Sequence, residues 1–199
     1  MAISAERVAV VAATTIEARA ARAALGERAR VVQTGIALRG LRTQLGSTVI
    51  SCGLAGGLRD ELPTGTVLVP KEIRRPDGSM LTCDAELVDR LCAASRKLGC
   101  EPVTAPLLTT ARIVRGPERQ RWAEQGYAGA DMESGLLNAP RVACVRVILD
   151  TPVHEFSAAW GNPSLVIFRP DAWLDIPFLA RQAPRCAMLA AKVVAEALG

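Results

Sequence analysis

The chain has a single histidine, His154, among its 199 residues. Because imidazole is the commonest protein ligand of transition metals, one histidine argues strongly against a histidine-based metal site. Six cysteines are present, but none forms a Cys-x-x-Cys pair, and several lie inside apolar runs, as buried free thiols do. We therefore expect no metal site, no disulfide framework and a reduced, cytoplasmic environment.

Runs of basic residues and long apolar segments are also lacking. The formal net charge is +4, yet the basic residues are dispersed and aromatic residues make up only 4% of the chain. This distribution is a poor match to a nucleic-acid-binding surface. No apolar stretch is long enough to cross a bilayer, and the opening residues MAISAERVAVVAA show no signal-peptide pattern. We expect neither a nucleic-acid partner nor a transmembrane segment.

Short β-branched runs alternate along the chain with segments of helical periodicity. The predicted strands are RVAVVAA, VVQTG, TVISCG, GTVLVPKEIRR and RVACVRVILD, with VTAPLLTTARIV extended. The predicted helices are IEARAARAAL, LRGLRTQL, AELVDRLCAASRKLG, GPERQRWAEQG and residues 183–198. This alternation is typical of an α/β fold with a central, mostly parallel twisted sheet flanked by helices. No linker or repeat interrupts it, so residues 1–199 are predicted to form a single domain.

Acidic and glycine residues fall at the carboxyl ends of the predicted strands, where α/β folds bind ligands. In chain order they are Glu17, Gly35, the cluster Gly53, Gly56 and Gly57, then Asp131 and Glu133 beside Met132, and finally Asp150. We expect Glu17, Glu133 and Asp150 to open into one cavity. Because Glu133 and Asp150 lie among apolar residues, where an unpaired carboxylate is costly, a functional or paired role is favoured for both.

Ordinary structural explanations exist for some of these residues. Glu17 would suit the first turn of a helix, where the helix dipole favours an acid. The glycines at 53, 56 and 57 make a tight turn, serve close strand–helix packing, or allow a ligand to approach the main chain. The residue pattern alone leaves these alternatives open.

Four segments resemble, in order, the motifs of the superfamily of purine nucleoside phosphorylases and methylthioadenosine/S-adenosylhomocysteine nucleosidases. VAVVAATTIEA is similar to the first strand and its acid, and CGLAGGLRDELPTGTVLV to the glycine motif. GADMES resembles the Val-Glu-Met-Glu segment, and VRVILDTP the Val-Arg-Ala-Ile-Ser-Asp segment. Asp-Met-Glu-Ser and FRPDAW, at residues 168–173, most resemble the hopanoid-associated phosphorylase subgroup.

The resemblance implies cleavage of the N-ribosidic bond of a purine-type, adenosyl nucleoside without a resident cofactor, by water or by inorganic phosphate as co-substrate. It implies that Asp150 protonates the leaving base, that Glu133 binds the ribose hydroxyls, and that Glu17 activates water. Glycine-motif amides would face the phosphate or the water. Substrate contacts are implied for Met132, Ile113, Val114, Leu54, Gly56 and Gly35. In the hopanoid subgroup the substrate would be an adenosyl-lipid.

The chain departs from the family pattern at several places. Leu54 and Leu149 replace serines, and TTARIV replaces an element whose aromatic residue stacks on the base. A lining of Leu54, Leu149, Ile113 and Val114 fits a bulky apolar substituent on the ribose, and equally a narrowed, empty pocket. The alternative function is therefore a non-catalytic nucleoside-binding descendant of the same fold.

The segment SAAWGNPSLVIF is too apolar for a solvated loop. Members of the family bury such surface between subunits near the active site, so we expect a homodimer or a higher homo-oligomer. Phe156 and Trp160 either form a flap over the base or belong to this interface, and the sequence favours neither.

Overall fold

The computed structural model of the protein describes residues 8–157, 160 and 173–199. Its strands are β1 (Ala9–Ala12), β2 (Arg30–Gln33), β3 (Thr48–Gly57), β4 (Val67–Leu68), β5 (Glu72–Arg74), β6 (Met80–Thr82), β7 (Leu107–Thr109), β8 (Gly129–Asp131) and β9 (Arg141–Asp150). Its α-helices are α1 (Thr15–Leu25), α2 (Ala85–Lys97), α3 (Pro117–Glu124) and α4 (Ile176–Ala197), and single 3₁₀ turns lie at Ile36–Leu38 and Ser134–Leu136.

The described strands form one mixed sheet. Its main path runs β2-β1-β3-β8-β7-β5-β6, and β9 pairs with both β3 and β4. Five pairings are parallel (β1–β2, β1–β3, β3–β9, β5–β7 and β7–β8). Three are antiparallel (β3–β8, β4–β9 and β5–β6). The predicted α/β fold with a central sheet flanked by helices is confirmed.

The core lies where α4 packs on the two longest strands, β3 and β9, and on helices α1 and α2. Alanine side chains dominate the buried face of α4, including Ala187, Ala190 and Ala191. Their small size lets the helix approach the sheet closely, and the β-branched and leucine residues of the sheet fill the remaining space. This packing fixes the carboxyl ends of β3 and β9 relative to α4. Within the described residues, no helix is both long and apolar enough to span a bilayer.

The structure corrects several predicted elements. LRGLRTQL is not a helix, because Ala37 and Leu38 have positive φ and the N–H of Gly40 bonds back to the Thr34 carbonyl at 2.6 Å. GTVLVPKEIRR divides into β4 and β5 at Pro70, whose ring nitrogen cannot donate to a ladder. Only residues 107–109 of VTAPLLTTARIV form a strand. The last helix begins at 176 instead of 183. Of FRPDAW, residues 168–172 lie outside the described residues, as does most of SAAWGNPSLVIF.

Candidate active site

A cavity of about 510 Å³ opens where β1, β3, β8 and β9 face the N-terminal part of α4. The three predicted catalytic carboxylates, Glu17, Glu133 and Asp150, all line it. Five predicted substrate-contact residues line it as well: Leu54, Gly56, Ile113, Val114 and Met132. Gly35 is not among the lining residues, although its neighbour Ile36 is. The structure thus brings together the acidic residues at the strand ends, as expected.

Glu17 is held in place by its own helix and by β3. It closes a capping box at the start of α1: Glu17 N–H donates to Thr14 Oγ1 (3.3 Å), and Thr14 N–H and Oγ1 donate to Glu17 Oε2 (2.7 and 2.8 Å). The other carboxylate oxygen, Oε1, accepts the main-chain N–H of Leu54 at 2.8 Å. The residue therefore caps a helix and also presents a buried, fixed carboxylate at the cavity.

The glycine motif is not a turn, because Gly53, Gly56 and Gly57 continue β3. None of the three has a positive φ. Gly53 pairs with Arg146 of β9, and Gly56 pairs with Asp150. A Cβ at position 53 would overlap Glu17 Oε1 and crowd Arg146 Nη1, and one at position 56 would lie 3.0 Å from Asp150 Oδ1. These glycines make room for charged side chains.

Arg146 is a buried cation at the centre of the acidic cluster, with 1% of its surface exposed. Its Nε donates to Asp131 Oδ2 (2.9 Å), and its Nη2 donates to the hydroxyl oxygens of Ser51 (2.8 Å) and Ser134 (2.9 Å). Its guanidinium also lies 3.7 Å from Glu133 and 3.9 Å from Glu17. Its Nη1 has no hydrogen-bond partner among the described residues. That atom lies on the Glu17 side and leaves one strong donor for a polar group there.

Glu133 follows β8 and reaches the main chain of the loop after β2. Its Oε1 accepts the N–H of Ala37 at 3.0 Å, and Ala37 has a φ of 54°. Burial raises the pKa of Glu133 to about 7, while Arg146 acts in the opposite direction. Its carboxyl group therefore changes charge closer to neutral pH than that of an exposed glutamate.

Asp150 ends β9 after a shift in the strand register. Ala55 pairs with Ile148 but Gly56 pairs with Asp150, so that Leu149 is an extra residue in β9. The Asp150 carboxylate is buried and accepts a hydrogen bond from Nη2 of Arg119 on α3. Burial raises the pKa of Asp150, and Arg119 opposes this rise.

Sequence reasoning missed both buried arginines. Arg146 could have been identified from the sequence, since a lone charged residue inside an otherwise apolar strand must have buried partners. Arg119 could not have been identified in this way, because it lies in the polar helix sequence PERQRWAE, where nothing distinguishes it from Arg121.

The opposite wall of the cavity is apolar. Ile176, Leu179 and Ala183 of α4 line it together with Phe156 and Trp160. The Trp160 Nε1–H donates to Asp175 Oδ2 at 2.9 Å, which ties the indole to the start of α4. Both aromatic residues therefore lie in the cavity wall.

Comparison with known proteins identifies the family of the chain. The model of the Phosphorylase superfamily matches residues 26–155. The chain belongs to this superfamily. Membership makes it an enzyme of the nucleoside phosphorylase or nucleosidase class, as the sequence predicted. The match does not resolve a subgroup, and no protein of curated function matches the chain in sequence.

Solved structures of nucleosidases share the fold over nearly the whole chain. The 5′-methylthioadenosine/S-adenosylhomocysteine nucleosidase of Neisseria meningitidis, in complex with methylthio-immucillin-A, is 20% identical with a TM-score of 0.72, covering 97% of this chain and 98% of that one. Native futalosine hydrolase of Helicobacter pylori is 12% identical with a TM-score of 0.70, covering 96% and 97%. A mutant of the H. pylori nucleosidase with 5′-methylthioadenosine in its active site is 12% identical with a TM-score of 0.68, covering 94% and 96%. At these identities the neighbours show that the chain shares its fold with these enzymes.

Proposed function

We propose that the protein hydrolyses the N-ribosidic bond of a purine-type, adenosyl nucleoside. The observation that carries the proposal is the convergence of Glu17, Glu133 and Asp150 on one cavity, with each carboxylate held by a separate hydrogen-bond donor. The reaction needs three polar groups: one for the nucleophile, one for the ribose and one for the base. The cavity supplies a carboxylate for each of them.

The reaction follows from the chemistry of these groups. As the bond between the ribose C1′ and the base breaks, its electron pair goes to the base, and the Asp150 carboxyl delivers a proton to a ring nitrogen. The ribose becomes cationic, and ionised Glu133 stabilises it through charge-assisted hydrogen bonds from the sugar hydroxyls. Water adds to C1′ and gives its proton to Glu17, whose carboxylate lies 3.9 Å from Nη1 of Arg146.

The charges around the cavity favour water over phosphate as the nucleophile. The cationic side chains among the described lining residues are Arg112 and Arg119. Arg112 lies 2.8 Å from Glu118, and Arg119 is paired with Asp150 and Glu155. Arg146 is already surrounded by Glu17, Asp131 and Glu133. A phosphate dianion at the Glu17 end would therefore meet more carboxylates than cations.

The size and lining of the cavity support a substrate with an apolar extension. Its volume of about 510 Å³ is within the range of small-molecule sites, which argues against the narrowed pocket of a non-catalytic descendant. The apolar α4 wall would accept an alkyl substituent on the ribose. An adenosyl-lipid of hopanoid synthesis is one such substrate, and support for that choice comes from the Asp-Met-Glu-Ser motif at residues 131–134.

Base release from a nucleoside panel tests the proposal. The panel contains adenosine, 5′-methylthioadenosine and adenosine with longer 5′-alkyl groups, each assayed with and without phosphate. We expect release of adenine and of the free sugar, ribose or its 5′-substituted form, in both conditions, with activity increasing with the length of the alkyl group. Release that requires phosphate would refute hydrolysis. Binding of these nucleosides without release from any of them would favour the non-catalytic alternative.

We also propose that the chain forms at least a homodimer through the apolar surface next to the cavity. Val153 and Leu174 are 87% and 82% exposed, and the half-exposed Trp173 and Ile176 lie beside Leu174 in the chain. Exposed large apolar side chains of this kind are typical of a surface that a partner covers. Light scattering at high micromolar concentration should give at least twice the 21.1 kDa of one chain, and a monomer would contradict the proposal.

A further inference from the structure

Asp150 differs from the other two carboxylates in its cationic partner, because it pairs with Arg119, whereas Glu17 and Glu133 lie near Arg146. Arg119 of α3 donates from Nη2 to Asp150 Oδ2, and both side chains are buried. We propose that Arg119 is a positioning residue that makes Asp150 a stronger general acid. The inference rests on the proposed function, in which Asp150 protonates the leaving base.

Three anchors fix the guanidinium of Arg119. Its Nη1 donates to the Gly57 carbonyl at the end of β3, and its Nε donates to the Val114 carbonyl at 3.1 Å. Glu155 Oε1 lies 3.0 Å from the same Nε and also accepts the N–H of Gly116 at 2.7 Å. These contacts tie Arg119 to β3 and to the chain on either side of the cavity. The guanidinium therefore cannot follow Asp150 if the carboxyl group rotates, and it holds Oδ2 in one place.

Proton transfer changes the charge next to Arg119. Before transfer, a neutral carboxyl group faces a buried cation. When the proton moves from Asp150 to the base nitrogen, the carboxylate left behind forms an ion pair with Arg119 in a site of low dielectric. The pair stabilises the product side of the transfer, so that departure of the base is favoured.

The other charges near Asp150 do not duplicate this role. Glu155, from the loop after β9, is an acid and acts against ionisation of Asp150. Glu17, Asp131 and Glu133 across the cavity are grouped around Arg146. The described α4 residues that face the cavity, Ile176, Leu179, Ala180 and Ala183, carry no charge. Arg119 is thus the cation in direct contact with Asp150.

A double-mutant cycle tests whether Arg119 acts through Asp150. Arg119→Gln should lower kcat about 10-fold or more with little change in KM, and Arg119→Lys should restore part of the loss. In an Asp150→Asn background the same Arg119→Gln change should cost almost nothing. Arg121→Gln removes an equal charge from the exposed face of the same helix and is the control. Independent losses that multiply in the double variant would overturn the inference, since they indicate separate structural effects.

The pH dependence gives a second readout that does not need turnover. Loss of Arg119 should raise the pKa of Asp150, because the group that favours the charged form is gone. In ¹³C-aspartate-labelled protein, with the Asp150 signal assigned from Asp150→Asn, the carboxyl titration should move to higher pH in Arg119→Gln and stay unchanged in Arg121→Gln. An unchanged midpoint would overturn the inference. If the wild type released no base from any nucleoside, this titration would still decide the role of Arg119 separately from the proposed function.

Discussion

Gly53 of β3 lies directly opposite Arg146 of β9 in the parallel register of the two longest strands. Three residues further along, Gly56 lies opposite Asp150. The two glycines therefore lie opposite two charged residues of β9. Glycine usually weakens a strand because it has no side chain to pack. Here the ends of Glu17, Arg146 and Asp150 fill the space that side chains at positions 53 and 56 would occupy.

The first prediction concerns the effect of a methyl group at each of these glycines. Gly53→Ala should disturb Glu17 and Arg146 together, which lowers both base release and the melting temperature. Gly56→Ala should mainly displace Asp150, because its Cβ would lie 3.0 Å from Oδ1, and should lower kcat with a smaller loss of stability. Calorimetry on the two variants checks that Gly53→Ala loses more stability than Gly56→Ala, and kinetics check that both lose activity. A Gly53→Ala protein as active and stable as the wild type would contradict it.

The second prediction concerns the pH dependence of nucleoside binding. The pKa of Glu133 is raised to about 7 by burial, so the carboxyl group is largely protonated below neutral pH and ionised above it. Only the carboxylate accepts hydrogen bonds from two ribose hydroxyls, so KM should fall as the pH rises through about 7. Glu133→Gln should raise KM, lower kcat and remove this step in KM. A step of the same size in the Gln variant would assign it to another group.

The third prediction separates water from phosphate as the nucleophile. If Glu17 takes the proton from water, Glu17→Gln should lose base release by about 10²-fold or more, and phosphate should not restore it. Part of any loss could come from the capping box, since Glu17 also accepts the N–H of Thr14. Thr14→Ala is therefore the control for the cap: it removes the Thr14 hydroxyl, while the Glu17 carboxylate keeps its hydrogen bonds from the main-chain N–H groups of Thr14 and Leu54. A Glu17→Gln enzyme whose activity returned with phosphate would indicate phosphorolysis.

The sequence predicts which acidic residues form the site, because this depends on where the strands end. Glu17 and Glu133 follow strands and Asp150 ends one, and the strands of an α/β sheet bring such residues to a common edge. What the pattern did not show is how the carboxylates are held. Side chains from distant parts of the chain pair through tertiary packing, and Arg119 is 31 positions away from Asp150. No local spacing encodes such a contact.

The role of the glycines could not be predicted from the sequence alone either. A cluster such as CGLAGG is compatible with a turn or with a strand, and local propensity favours the turn. The segment forms a strand because β9 pairs with it as far as Gly56 and β8 pairs with Gly56 and Gly57. The space above Gly53 and Gly56 is then taken by charged side chains from other elements, which only the folded register brings together.

The last prediction concerns the proton given to the leaving base. If Asp150 is the general acid, Asp150→Asn should lower kcat by about 10²- to 10⁴-fold, the range typical for loss of one acid catalyst. The affinity for the nucleoside should change little, because an amide still hydrogen-bonds a ring nitrogen. The variant also leaves Arg119 without its partner carboxylate at position 150, so its melting temperature must be measured alongside the kinetics.

The exposed Asp89 on α2, which does not line the cavity, provides the matched control Asp89→Asn, and its kinetics should equal those of the wild type. A substrate with a better leaving group needs less help from an acid, so the defect of Asp150→Asn should shrink on a nucleoside whose base departs readily as an anion. A folded Asp150→Asn protein that released adenine at the wild-type rate would remove Asp150 from the mechanism. An equal defect on both kinds of nucleoside would instead assign Asp150 to binding geometry, since the need for a proton would no longer explain the loss.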